Sequence, residues 1–335
     1  MQTLKIVIPM AGFGTRLRPQ TWSRPKQLLS IAGKTVIEHV LDQFSTLPEG
    51  VAVEYIFIVG YLGEKIEAFM NARYPHLNVR YVVQAEMRGQ SHAIYLAKEY
   101  LHGPMLMVFA DTLIETDLST LGADDIGGIA WVKPVPDPRR FGVAEVGADG
   151  LVTRLVEKPS EIENNLVVVG FYYFRESEDL VAAIETQMKR GQQLKGEFFL
   201  ADAVNIMLER GLKMRTQQVE TWLDAGTPQA VLETNRYLLE HGAGNAADFS
   251  GEGVAVIPPA FIHPEAEVSN SVIGPYASIG AGCKVDRAVI TDSILEDGAQ
   301  VSDAVLTNSL IGQRAAVHGK ATAVNLGDDA VAGDG

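Results

Sequence analysis

Leu4-Lys5-Ile6-Val7-Ile8-Pro9-Met10-Ala11-Gly12-Phe13-Gly14-Thr15-Arg16-Leu17-Arg18-Pro19 opens the chain and decides its fold. The first part is a compact β-branched run stopped by Pro9, the pattern of a strand buried on both faces of a parallel sheet. The second part is a Gly-rich, basic loop that runs on through Arg24-Pro25-Lys26. Glycines let backbone N–H groups approach a phosphate with no Cβ in the way. A lone Gly-x-Gly is more simply a tight turn with solvated basic neighbours. Here Arg16, Arg18, Arg24 and Lys26 crowd one strand end of a chain with 28 Lys and Arg against 42 Asp and Glu, net −14. That crowding favours phosphate binding.

Outward from this stretch, strands and helices alternate. Val36, Ile37, Val40, Leu41 and Phe44 recur at helical spacing, Tyr55 to Val59 reads as a strand, and Leu62, Ile66, Phe69 and Met70 mark a second helix. Val79 to Val83 is a third strand, Ala93, Ala97, Tyr100 and Leu101 a third helix, and Met105 to Phe109 a strand ending at Asp111. Such alternation implies a parallel sheet, whose ligands sit at the carboxyl ends of the strands. Strands return at Ile129 to Val132, Phe141 to Val146, Leu151 to Val156 and Val167 to Phe174, with helices near 176–190 and 197–210. Thr227 and Pro228 read as the N-cap and first position of another helix.

Beyond about residue 240 the composition changes. Ile262, Val268, Ile273, Ile279, Val285, Ile290, Leu295, Val301, Leu306, Ile311 and Val317 follow one another at steps of five or six. This is the hexapeptide pattern of a parallel β-helix of about four coils, with some corners tightened. The chain is therefore expected to be α/β, a Rossmann-like mixed sheet over residues 1–240, a linker at 241–252 and a β-helix over 253–335.

Hydrophobic residues at 47% and charged residues at 21% supply an ordinary globular core. The acidic balance excludes duplex nucleic acid and anionic membranes as natural partners. A single cysteine, Cys283, permits no internal disulfide, and the apolar run before Pro9 is too short for a signal peptide. A cytoplasmic location is expected.

The loop is neither a Walker loop nor the dinucleotide fingerprint, because no Gly-Lys-Ser/Thr ends it and Leu17 stands where a third glycine would be. It resembles the G-x-G-T-R-x-x-P…P-K signature of the sugar-1-phosphate nucleotidylyltransferases. The resemblance extends to Gln84 with Gly89, Phe109-Ala110-Asp111, Phe141-Gly142-Val143, Val156-Glu157-Lys158-Pro159 and Trp222-Leu223-Asp224-Ala225-Gly226-Thr227-Pro228. It implies a nucleotidyltransferase domain followed by a short left-handed β-helix. It also implies roles. Arg16, Lys26 and Lys158 would neutralise phosphates as catalytic residues. Ala11, Gly12, Gly14, Thr15, Gln84 and Gly89 would bind the nucleotide. Gly142, Glu157 and Lys158 would hold the sugar, and Asp111 and Asp224 would hold Mg²⁺.

Taken singly, these residues have plainer readings. Asp111 could cap a turn, Glu157 and Lys158 could be a solvated pair, and Asp224 could precede an N-cap without a metal. The form Ile8-Pro9-Met10-Ala11-Gly12-Phe13-Gly14-Thr15-Arg16 is closer to glucose-1-phosphate uridylyltransferases, whereas Leu17-Arg18-Pro19 and the tail are closer to long thymidylyltransferases. The expected partners are thus UTP, or dTTP as the alternative, and glucose 1-phosphate. Mannose-1-phosphate guanylyltransferase and a non-catalytic sensing subunit are weaker alternatives, and a homo-oligomer is left open. The seven histidines show no metal-ligand spacing, and acetyl transfer by the β-helix is not expected. Every implied site residue precedes His241, so a chain ending there is expected to keep its activity.

Overall fold

The computed structural model describes residues 3–251, 253–319 and 323–333; position 252 of the expected linker and 320–322 and 334–335 of the expected β-helix lie outside the described residues. The opening run forms the strand Leu4–Pro9, with Ile6, Val7 and Ile8 fully buried. Burial on both faces is why Ile6, Val7 and Ile8 follow one another without polar alternation. Val53–Val59 and Met105–Val108 flank it, both parallel, and Val79–Val83 extends the parallel set beyond Val53–Val59.

On the other side the sheet turns antiparallel. Leu166–Phe174 pairs with Met105–Val108 and also with Gly128–Pro134 and Gly142–Val146. Val152–Glu157 returns as a hairpin against Gly142–Val146, and Met214–Gln218 runs parallel to Gly128–Pro134. These make one nine-stranded mixed sheet. Helices Gln90–Leu96, Ser177–Arg190 and Leu200–Glu209 lay apolar side chains such as Ile94, Ile184 and Val204 against Ile58, Met107 and Phe174 of the sheet. Thr227 caps helix Pro228–Leu238 as expected, its Oγ1 accepting the Ala230 N–H at 3.2 Å.

The tail is a left-handed parallel β-helix whose three faces, among the described residues, are sheets of four, five and five short strands. Val268, Val285, Val301 and Val317 stack in register on one face, and Ile279, Leu295, Ile311 and Leu326 on another. The five-residue steps leave each coil short of three full hexads, and left-handed backbone turns the tightened corners. Asn270, Arg287 and Asp303 take φ of 47°, 48° and 53° at one of them. Asn and Asp tolerate this region; Arg287 does not share that ease, and its fork grips Asp303 at 2.7 and 2.9 Å. Cys283 lies inside the stack, where burial pushes its thiol up to about 12.

The compact units do not follow chain order. Met1–Gly12 groups with Val40–Trp222, and Phe13–His39 groups with Leu223–Gly335. The basic loop that follows the first strand thus belongs with the β-helix. Among the described residues no helix is long and apolar enough to cross a membrane.

Candidate active site

In the first unit, the carboxyl ends of neighbouring parallel strands carry Asp111, the turn at Met10–Gly12, Gly60 and Gln84, in the spatial order of their strands. Each placement has a local cause. The Met10 N–H donates to Ile58 O and the Gln84 N–H to Val59 O, both at 2.8 Å, so strand pairing carries on into the loops. A Cβ on Gly60 would sit 2.7 Å from Ala11 O, which keeps that position bare and the two loops close. A Cβ on Gly12 would meet nothing within 4 Å. Packing does not require glycine there.

Gln84 is 5% exposed. Its Nε2 donates to Gly89 O at 3.2 Å and lies 3.2 Å from His92 Nδ1. Gly89 has φ +93°, and a Cβ on it would lie 2.5 Å from Phe198 O, so only glycine fits. Burial, and then the Arg88 guanidinium, hold the His92 imidazole below its ordinary pKa. Asp111 is half-buried just past the Met105–Val108 strand. Its approach is fixed by the Phe109 N–H, which donates to Gly170 O at 2.9 Å. Gly170 has φ +82°, and a Cβ there would overlap the Phe109 ring at 2.2 Å.

The sequence pairs Gly142 with Glu157 as sugar-binding residues, and the hairpin places them opposite each other in register. A Cβ on Gly142 would lie 3.2 Å from Glu157 Oε2. The Lys158 N–H donates to Phe141 O at 2.9 Å, and Lys158 takes φ 50°. A lysine held in left-handed backbone is the kind of strain that gathers at functional positions. Its Nζ lies 3.6 Å from Glu157 Oε1 and 4.5 Å from the centre of the Phe199 ring. Burial pushes the Glu157 carboxyl above its ordinary pKa against the pull of Lys158, and Asp202 and Glu197 push the same way. This carboxylate is short of solvation and suited to accepting hydroxyl hydrogens.

In the second unit, Gly14 has φ 62° at the start of a short 3₁₀ turn, Thr15–Leu17, and its carbonyl accepts the Thr21 hydroxyl at 2.8 Å. Leu17 is fully buried and anchors that turn, which leaves Thr15 and Arg16 exposed. Lys26 opens a second 3₁₀ turn, Lys26–Leu28. Asp224 is exposed; its Oδ1 accepts the Gly226 N–H at 2.9 Å. It ends the short strand Trp222–Asp224, which is not part of the nine-stranded sheet. Among the described residues no three His, Cys, Asp or Glu side chains cluster as a metal site. A Mg²⁺ that takes one or two carboxylates plus substrate phosphates needs no such cluster.

Several residues at these positions escaped the sequence reading. His92 was set aside for lack of ligand spacing, although it lies one helical turn from Gly89. Phe199 carried no motif. Glu296 carried no motif either, although it is only 4% exposed.

Comparison with known proteins gives the same answer as the geometry. The nucleotidyl transferase family model matches residues 5–241. The bifunctional protein GlmU of Methanococcus vannielii is 33% identical over 242 residues, covering 70% of this chain and 55% of that protein, so the chain spans about half the length of that relative. A glucose-1-phosphate thymidylyltransferase of Streptomyces antibioticus is 29% identical over 341 aligned positions, covering 94% of this chain and 93% of its own. Among solved structures, a UDP-glucose pyrophosphorylase complexed with UDP-glucose superposes with TM-score 0.61 at 21% identity, over 72% of this chain and all of that one. A putative glucose-1-phosphate thymidylyltransferase from Bacillus anthracis superposes with TM-score 0.59 at 22% identity, over 70% of this chain and 95% of that one. The family match over residues 5–241, with the motifs and the mixed sheet, makes this chain an enzyme of the nucleotidyl transferase family.

Proposed function

We propose that the enzyme joins UTP and glucose 1-phosphate to give UDP-glucose and pyrophosphate. The observation that carries this reading is the row of Asp111, Ala11-Gly12 and Gln84 along the carboxyl ends of neighbouring parallel strands. It is the place where such sheets bind nucleotides. In the reaction a sugar-phosphate oxygen attacks the α-phosphorus, the bond to the bridging oxygen breaks, and pyrophosphate departs with the electron pair. The nucleophile is already an anion, so no general base is needed. Charge repulsion is the obstacle, and positioned cations and hydrogen bonds remove it.

In this reading the backbone of Ala11, Gly12, Gly14 and Thr15 lies along the triphosphate, and the Gln84 amide reads the base beside Gly89. Arg16 and Lys26 neutralise the triphosphate, and Lys158 neutralises the sugar phosphate. Glu157 and the Gly142 backbone orient the sugar hydroxyls. Asp111 and Asp224 would hold Mg²⁺, which supplies positive charge to the phosphate oxygens when bound. The single, deeply buried thiol of Cys283 suits the cytosol, where we place the enzyme.

The second reading replaces UTP by dTTP. It is favoured by the match to the Streptomyces thymidylyltransferase, which runs through the tail as well. The bases differ by one methyl, worth about 1–3 kcal/mol in a pocket. Pyrophosphate release from UTP, dTTP, GTP and ATP, each with glucose, galactose, mannose and glucosamine 1-phosphates, tests both. Highest kcat/KM for UTP with glucose 1-phosphate supports the first reading, a dTTP maximum the second, and a GTP or ATP maximum overturns both.

A further inference from the structure

The cations of the signature loop do not stand on the loop's own strength. In the second unit, Arg24 and Glu296 are 6% and 4% exposed, burial that charged side chains reach almost only as partners. Arg24 Nη2 lies 2.5 Å from Glu296 Oε1. Arg24 Nη1 also donates to Leu28 O at 3.3 Å, which ties the ion pair to the turn that carries Lys26. The same carboxylate accepts the Ser30 N–H at 2.9 Å and the Ser30 hydroxyl at 2.7 Å. On the Arg16 side, Gln20 is 2% exposed, and its Nε2 donates to Leu310 O at 3.0 Å and to Leu326 O of the next coil. Ser23 donates to Asp328.

The junction is close-packed. The cavity lined by Gln20, Ser30, Ile294 and Glu296 measures about 10 Å³, room for one water at most and for no ligand. Glu296 therefore faces a loop and not a substrate.

We propose that the β-helix is the mount of the phosphate-binding loop and that Glu296 is its positioning residue, holding Arg16 and Lys26 in register through Arg24 and Ser30. The inference rests on the nucleotidyl-transfer reading for what Arg16 and Lys26 do. It reverses the expectation that a chain ending near His241 keeps its activity, since the groups that hold Gln20, Ser23, Arg24 and Ser30 lie at 296–328. A mount matters because a shift of about 1 Å in a charged group aimed at a transition state can cost a hundredfold in rate.

The test uses the full chain as wild type, Glu296→Gln, Glu296→Asp and the double variant Arg24→Met/Glu296→Leu. The double variant leaves no buried charge unpaired, so it can fold even where Glu296→Gln does not. Two readouts are taken: kcat and KM for UTP with glucose 1-phosphate, and the rate at which trypsin cuts after Arg16, which Leu17 follows. Glu296→Gln and the double variant are expected to lose at least tenfold in kcat with cooperative unfolding retained, and to be cut at least tenfold faster. Glu296→Asp should recover part of both. A folded double variant with kcat and cleavage rate within twofold of wild type overturns the proposal. Trypsin cleavage does not depend on catalysis, and wild-type turnover is read alongside it. A failure of the functional reading is thereby told apart from a failure of the mount.

Discussion

Gln84 and His92 are held together at 3.2 Å between Nε2 and Nδ1, with the second Nε2 hydrogen given to Gly89 O. Both amide hydrogens are thereby used inside the protein, so in the proposed reading Gln84 Oε1 is the atom that would meet the base. An acceptor there suits the N3–H of uracil or thymine. The arrangement requires a neutral His92 whose Nδ1 accepts, and burial lowers its pKa in that direction.

Acidification should therefore weaken base recognition. The folded-state pKa of His92 lies below its unfolded value, so its contribution to stability is present above the ordinary imidazole pKa and is lost as pH falls through the lowered one. KM for UTP is expected to rise at least fivefold across that acid window while kcat changes less. His92→Gln, which cannot titrate, should flatten the rise. A KM profile that stays equally steep in His92→Gln would remove the histidine from base recognition.

Glu157 shifts in the opposite sense. Its folded-state pKa is raised by burial, so stability is fully present below the ordinary carboxylate pKa and declines as pH rises through the raised one. Glu157→Gln should raise the melting temperature of the ligand-free enzyme at neutral pH, with the difference shrinking in acid. The same change should raise KM for glucose 1-phosphate by about tenfold, since it removes an acceptor of hydroxyl hydrogens. Thermal unfolding and initial rates across pH check both halves. A neutral-pH melting temperature lower than wild type would contradict the first.

Arg16→Ala and Lys26→Ala are each expected to lower kcat at least a hundredfold in a protein that still folds. One positioned donor to a developing charge is typically worth about 3–4 kcal/mol. Both side chains sit on short turns anchored by buried neighbours, Leu17 and Gln27, so truncation should spare the backbone. Near wild-type turnover would return these cations to the solvated surface.

Removal of divalent metal is the next measurement. Activity should vanish in excess EDTA and return with Mg²⁺, and Asp111→Asn and Asp224→Asn should each lose most of it without loss of ligand-free stability. Full turnover in EDTA would end the metal role of both carboxylates. Survival of activity in Asp224→Asn alone would leave Asp111 as the protein's ligand.

Much of this was legible in the sequence because the chain advertises it by pattern. The apolar run at Ile6–Ile8 reads as a strand covered on both faces, and the steps of five and six from Ile262 to Val317 follow from stacked coils whose corners are tight. The position of Asp111 was legible too, since a strand ending in an acid has little choice of where to put it. The role of Arg24 was not, because its partner Glu296 is more than half the chain away and ion pairing leaves no periodicity. Nor was the grouping of Phe13–His39 with the tail, since contiguity in sequence suggests a loop belongs with the strand it leaves. His92 was passed over for a related reason: a histidine that orients an amide has no ligand spacing to display.

The most direct test of the central claim follows the phosphorus. UTP labelled at the α-phosphate or at the γ-phosphate is incubated with the enzyme, Mg²⁺ and glucose 1-phosphate, and the products are separated. The account predicts that the α-label appears in UDP-glucose and the γ-label in pyrophosphate, both only when the sugar phosphate is present. Release of label without sugar phosphate, or γ-label recovered as orthophosphate, would show hydrolysis in place of transfer and contradict the account.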